Sequence, residues 1–244
     1  GSGKSYVRLR IKKKLSSEGY RLLDAREIII NYIDKFVDLN LYQKIKTFYF
    51  KFLLIFNIKT TLWNDDLNII CKKFLRNNQK KLNKYKIIKK IIFNKKELLK
   101  NKNYNFWIDE LIVADLIFKK IANYSKKLIF FPDEGFVQRI LILAYLESKF
   151  NSIKIKRYLN CNLNCNIVIN VISSKNKIDS VILNRKSKNE GWIPTKQQIL
   201  NMKKIEKTIN KYHKLINILY IKNNNKIDIQ ILNILKKNKL ISNE

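Results

Sequence analysis

Residues 127–135 read Lys-Leu-Ile-Phe-Phe-Pro-Asp-Glu-Gly. Four apolar residues in a row, Leu128 to Phe131, stopped by Pro132 and followed by two acids and a glycine, predict a short buried strand that ends in a turn. Before it, Phe106 to Ala122 carries Trp107, Leu111, Ala114 and Phe118 at helical spacing, which predicts an amphipathic helix. After it, Phe136 to Phe150 predicts another helix, with Ile140, Leu143, Ala144 and Tyr145 inward. Asn166 to Ile172 is nearly all β-branched and predicts a second buried strand. Thr195 and Gln198 form a capping box, opening a long helix expected to reach about Leu219. Asn223 to Asn225 then reads as a turn, Lys226 to Ile229 as a last short strand and Leu232 to Leu240 as a last helix. Short apolar strands alternating with helices predict an α/β fold with a parallel sheet.

The N-terminal end has the same rhythm. Val7, Ile11 and Leu15 recur every four residues between Tyr6 and Glu18, so a helix is expected there. Gly19 follows, the residue type that tolerates the positive φ of a helix C-terminus. Tyr20 to Asp24 then reads as a strand ending in an acid. From Ala25 to about Lys126 the pattern is helical. Ile28, Ile29, Ile33 and Phe36 make one face, while Lys80 to Lys102 is lysine-rich and expected to be solvated. Phe48, Tyr49, Phe50, Phe52 and Phe56 are read as core rather than as a platform for stacking bases.

Composition bounds the function. The 244 residues are 46% hydrophobic and 29% charged, a globular balance. With 5 Gly and 2 Pro, collagen-like and Pro/Gly-rich classes are excluded. No apolar run approaches the roughly 18 residues of a membrane span. Lys+Arg number 51 against 19 Asp+Glu, a formal net charge of +32. That charge admits a polyanion binder. It also admits coding bias, because Lys, Ile and Asn share AT-rich codons and the lysines are scattered. Cys71, Cys161 and Cys165 are an odd, sparse set. They predict reduced thiols in a cytoplasmic protein, not a disulfide scaffold. A C-x-x-x-C pair with one His in the chain is a poor zinc site.

Parallel α/β sheets bind ligands at the carboxyl ends of their strands. The residues expected at that edge are an inventory for phosphate and magnesium. Gly1-Ser2-Gly3-Lys4-Ser5-Tyr6 opens the first helix, Asp24 and Arg26 follow the first strand, and Asp133, Glu134 and Arg139 follow the second. Ser173, Ser174 and then Arg185 in a polar loop follow the third.

These residues resemble the P-loop kinases of the nucleoside and nucleotide (thymidylate- and adenylate-like) group. Gly3-Lys4-Ser5 is similar to the back half of a G-x-x-x-x-G-K-[ST] loop, and Leu128 to Asp133 to a Walker B strand and its acid. The resemblance implies a single P-loop NTPase-like domain over 1–244, a parallel sheet flanked by helices. Residues 25–126 would be a large helical acceptor-binding insertion and 185–195 a lid-like loop. It implies an ATP- and Mg²⁺-dependent phosphotransferase acting on a small acceptor. Gly1, Ser2, Gly3, Lys4, Ser5 and Tyr6 would hold ATP, and Ser5 and Asp133 the magnesium. Lys4, Asp133, Glu134 and Arg185 would be catalytic, and Asp24, Arg26 and Arg139 would bind the acceptor. The sequence departs from the pattern in two ways. The first glycine of the loop and the strand before it, normally central in the sheet, are absent, as in an N-terminal truncation. The lid has one Arg where two are common.

Each residue also has a plainer reading. Gly-Ser-Gly is a common cloning remnant, Asp133 and Glu134 suit the first turn of a helix, and Arg26, Arg139 and Arg185 suit a basic surface. Two other functions compete with the kinase. One is a non-enzymatic RNA-binding or ribosome-associated protein using scattered lysines. The other is a ribonuclease with Glu18 and His213 as acid and base.

Overall fold

The computed structural model describes residues 4–56, 64–92, 102–124, 127–132, 135–140, 152–160, 167–172, 195–211, 218–222, 224 and 226–240. The chain divides into two compact units. One comprises Leu22–Arg139, the other Gly1–Arg21 with Ile140–Glu244. The described residues are mostly helical with short strands, which accords with the α/β class.

The unit Leu22–Arg139 is built around one helix. β1 is Arg21–Leu23, α2 Ala25–Tyr32, α3 Leu41–Ile55, α4 Asn64–Asn77, α5 Asn83–Ile92, α6 Lys102–Ile121, β2 Leu128–Phe130 and α7 Phe136–Arg139. α2, α4, α5 and α7 pack on α6. The sequence predicts a one-sided helix there. Instead Phe106, Ile108 and every residue from Leu111 to Ala114, with Leu116 and Ile117, are buried, because α6 has neighbours on several sides. Trp107 and Phe118, read as core, are only half-buried. β1 hydrogen-bonds β2. The Phe131 amide donates to the Leu23 carbonyl at 2.8 Å, so both carboxyl ends emerge together.

Two expectations in this unit are corrected. Within the lysine-rich stretch 80–102, Leu82, Tyr85 and Ile88 are buried. Tyr85 and Ile88 give α5 a core face that its many lysines conceal, and Leu82 extends it into the turn before. On α3 only Phe50 of the aromatic group is buried, whereas Phe48, Tyr49, Phe52 and Phe56 are exposed. Phe50 shares its inward side with Thr47 and Leu53, and a helix cannot turn the other aromatics the same way.

In the other unit, α1 is Lys4–Ser17, α8 Ser152–Leu159, β3 Val168–Ile172, α9 Lys196–Lys211, β4 Ile218–Lys222 and α10 Ile227–Lys237. α1 starts with its lysine and serine, buries Val7, Ile11 and Leu15, and packs on α10. Arg10 and Asp228 join the two at 3.6 Å. Gly19 takes φ 80°. The Tyr20 amide reaches the Leu15 carbonyl and the Gly19 amide the Ser16 carbonyl, both at 3.0 Å, a Schellman stop. β3 and β4 are parallel, Val168 opposite Ile218 through Ile172 opposite Lys222. α9 opens on the expected box, with the Gln198 amide on Thr195 Oγ1 at 3.2 Å and the Thr195 amide on Gln198 Oε1 at 2.9 Å.

The C-terminal part is corrected as well. The expected strand at Lys226–Ile229 is the start of α10, and the strand lies earlier, at Ile218–Lys222. Ile227, Ile231 and Leu235 are buried at four-residue spacing, a helical period that four residues alone do not reveal. Ile218 and Leu219, expected as the tail of a helix, open a strand that pairs with the β-branched β3. Gln230 of α10 holds the end of β4. It accepts from the Lys222 amide at 2.9 Å and donates to the Lys222 carbonyl at 3.1 Å.

Candidate functional site

The carboxyl ends of β1 and β2 turn into two short segments that carry charge. After β1, Asp24 caps α2. Its Oδ1 accepts from the Glu27 amide at 2.8 Å, and its own amide donates to Glu27 Oε2 at 2.7 Å. The sequence Asp24-Ala25-Arg26-Glu27 encodes this reciprocal cap, which satisfies two otherwise orphaned amides. Within the same turn, Arg26 Nε donates to Glu110 Oε1 of α6 at 2.8 Å, an ion pair whose carboxylate side chain is 6% exposed. After β2, α7 brings Arg139, whose guanidinium lies 5.2 Å from the centre of the Trp107 ring.

Glu110 is where these groups converge. Burial pushes its carboxyl above the ordinary range, Arg26 and Arg139 pull it back down, and Asp24 adds a small upward push. All three acceptor-site residues expected from sequence thus act on one buried carboxylate. Arg26 is bonded to a buried acid, and Arg139, whose charge also bears on that acid, stands over an indole ring. Such a constellation can orient an anionic or planar ligand through paired hydrogen bonds and stacking.

The same helix buries two more acids. Asp109 pairs with Lys89 at 2.6 Å. Burial is the main cause of its raised pKa, opposed by Lys89 and then Lys72. Asp115 accepts from the Tyr85 hydroxyl and from Lys119 Nζ, the latter at 2.6 Å. Lys119 also donates to the Tyr85 hydroxyl at 2.8 Å, and burial with the Asp115 charge pushes the Tyr85 phenol up. Cys71 is buried near Glu110 and Asp109, and burial raises its thiol well above the usual range, so it is chemically quiet. Asp109, Glu110 and Asp115 escape the sequence reading. Their signal is the acids standing inside Trp-Ile-Asp-Glu-Leu-Ile-Val-Ala-Asp, an otherwise apolar stretch where an acid needs a partner.

The expected phosphate end has a different character. Lys4 and Ser5 form the first turn of α1, both exposed, and no acid sits in that turn. A lysine and a hydroxyl in the first turn of a helix suit a polyphosphate and its metal. Tyr6 is exposed, and its hydroxyl accepts from Arg10 Nε at 2.9 Å. Gly1, Ser2, Gly3, Asp133, Glu134, Ser173, Ser174, Arg185 and the lid-like loop to 194 lie outside the described residues, as do Cys161, Cys165 and His213. Glu18 pairs with Lys14 at 3.1 Å. Among the described residues no group of three or more His, Cys, Asp or Glu could hold a metal ion, and no helix is long and apolar enough to cross a membrane. Compared with protein-family models, curated proteins and solved structures, the chain matches none.

Proposed function

We propose that the protein is an ATP-dependent phosphotransferase of the nucleoside- or nucleotide-kinase type. The observation that carries this reading is the joint emergence of the carboxyl ends of β1 and β2, with Arg26 and Arg139 both acting on Glu110 beside them. That edge is where parallel sheets hold ligands.

In this reading the N-terminal amides of α1 and the Lys4 ammonium neutralise the β- and γ-phosphates. Ser5 and Asp133 would hold magnesium, which would supply charge neutralisation for the phosphoryl group. Arg26 and Arg139 position the acceptor, Glu134 contacts it, and Arg185 closes over the phosphates. Positioning and charge neutralisation supply the rate, with little covalent chemistry. The test is transfer of label from γ-labelled ATP to a panel of nucleosides and nucleoside monophosphates. We expect magnesium-dependent transfer that falls about 100-fold or more in Lys4→Ala and in Asp133→Asn, the scale of losing one charge-stabilising group. Transfer to no acceptor, or Lys4→Ala as active as the parent, overturns the reading.

A second reading rests on α9. Lys196, Lys203, Lys207 and Lys211 are exposed and fall on one side of the helix, a stripe over about 22 Å at 1.5 Å per residue. Such a stripe suits a phosphate backbone and an RNA-binding protein. Tight RNA binding that weakens steeply with salt, together with melting unaffected by ATP, would favour it over the kinase.

A further inference from the structure

α3 turns its most apolar side outward. Leu41, Ile45, Phe48, Phe52 and Ile55 lie on that side, and Tyr42, Tyr49 and Phe56 flank them. Each is between 50% and 75% exposed. At roughly 200 Å² for a large side chain, the exposed parts amount to about 1,000 Å². The largest apolar patch of an ordinary monomer is about 300–600 Å², so this surface is built to be covered.

The spacing says by what. From Leu41 the steps are four, three, four and three residues, ending at Ile55. That spacing lines the five side chains along one stripe of the helix, a shape suited to packing against another helix. A lipid surface asks only for an apolar arc, not for a stripe. A single-stranded nucleic acid would stack on the aromatics and leave Leu41, Ile45 and Ile55 without a partner.

Charge then selects the helix. α3 contains no acid. Its lysines Lys44 and Lys51 border the stripe on one edge, and Tyr42, Tyr49 and Phe56 border it on the other. In a parallel pair each Lys44 falls beside the partner's Tyr49, while Lys51 stays paired with Asp34 of its own chain at 2.8 Å. The first is a cation–π contact of the kind the chain already makes, with Lys46 Nζ 5.4 Å from the centre of the Tyr42 ring. An antiparallel pair sets the lysine edges against each other. We infer that α3 is the interface of a homodimer, two copies packing their α3 helices in parallel about a twofold axis. The pair would bury about 2,000 Å², within the roughly 1,200–2,000 Å² of a stable interface.

Sedimentation equilibrium of the full chain tests this. We expect a dimer at micromolar concentration. Phe48→Glu should raise its dissociation constant at least about 30-fold, the loss of one hot-spot aromatic, with an unchanged circular dichroism spectrum because the side chain is exposed. Phe48→Cys should cross-link to its own copy under mild oxidation, with the parent chain and its native cysteines as the control. Parallel packing sets the two Phe48 positions face to face. A monomeric parent chain overturns the inference, whether it stays free, pellets with phosphatidylserine-containing vesicles or binds RNA. So does a Phe48→Glu variant as dimeric as the parent.

Discussion

Glu110 shows what single residues contribute. Its carboxylate is buried against Arg26, and burial raises its pKa more than Arg26 and Arg139 lower it. The native state therefore holds that proton more tightly than the unfolded chain does. The stability this group contributes is full below the ordinary glutamate value of about 4.3 and is lost as pH rises through the raised native value. Glu110→Gln removes the titration. Its deficit relative to the parent, read from urea midpoints, should be largest near about pH 4 and should shrink toward neutrality. A deficit that grows with pH would mean that the two arginines outweigh burial. The sequence marks Arg26 and Arg139 by their places after two strands. Glu110 is 84 positions from Arg26, and nothing local to either residue announces that pairing.

Local signals read well where a single element carries them. The four-residue spacing of Val7, Ile11 and Leu15, the Gly19 stop and the short strand after it all describe α1 and β1. Gly19 at φ 80° turns the chain from α1 toward β1, a backbone region that costs a residue with a Cβ roughly 1–2 kcal/mol. Gly19→Ala should lower stability by about that amount in denaturant unfolding, and a neutral substitution would show that the junction relaxes at no cost. β2 and β3 were legible from apolar runs of β-strand composition. α10 was not, because Lys226 to Ile229 alternates like a strand and turns helical only when Ile231 and Leu235 extend the stripe. α3 is the instructive miss. Its apolar side is visible in sequence, but which of its sides meets the core depends on Thr47, Phe50 and Leu53 finding neighbours in the fold.

At the scale of the whole molecule, two units each carry one strand pair, and each carries part of the proposed chemistry. Lys4 and Ser5 open α1 in one, and Arg26, Arg139 and Glu110 cluster in the other. The α/β rhythm was legible from the dense apolar runs of β2 and β3, but not at β4, whose opening residues read in sequence as the tail of a helix. The division into units was not, since no Pro- or Gly-rich linker marks Arg21 or Ile140. The central claim is that the Lys4 ammonium meets a triphosphate. Calorimetric titration with magnesium and ATP tests it most directly, comparing the parent chain with Lys4→Ala and with Lys13→Ala, another exposed lysine of the same helix. The account predicts saturable binding that weakens about tenfold or more in Lys4→Ala, or ~1.4 kcal/mol, and is unchanged in Lys13→Ala. No heat of binding in the parent, or equal weakening by both substitutions, would contradict it.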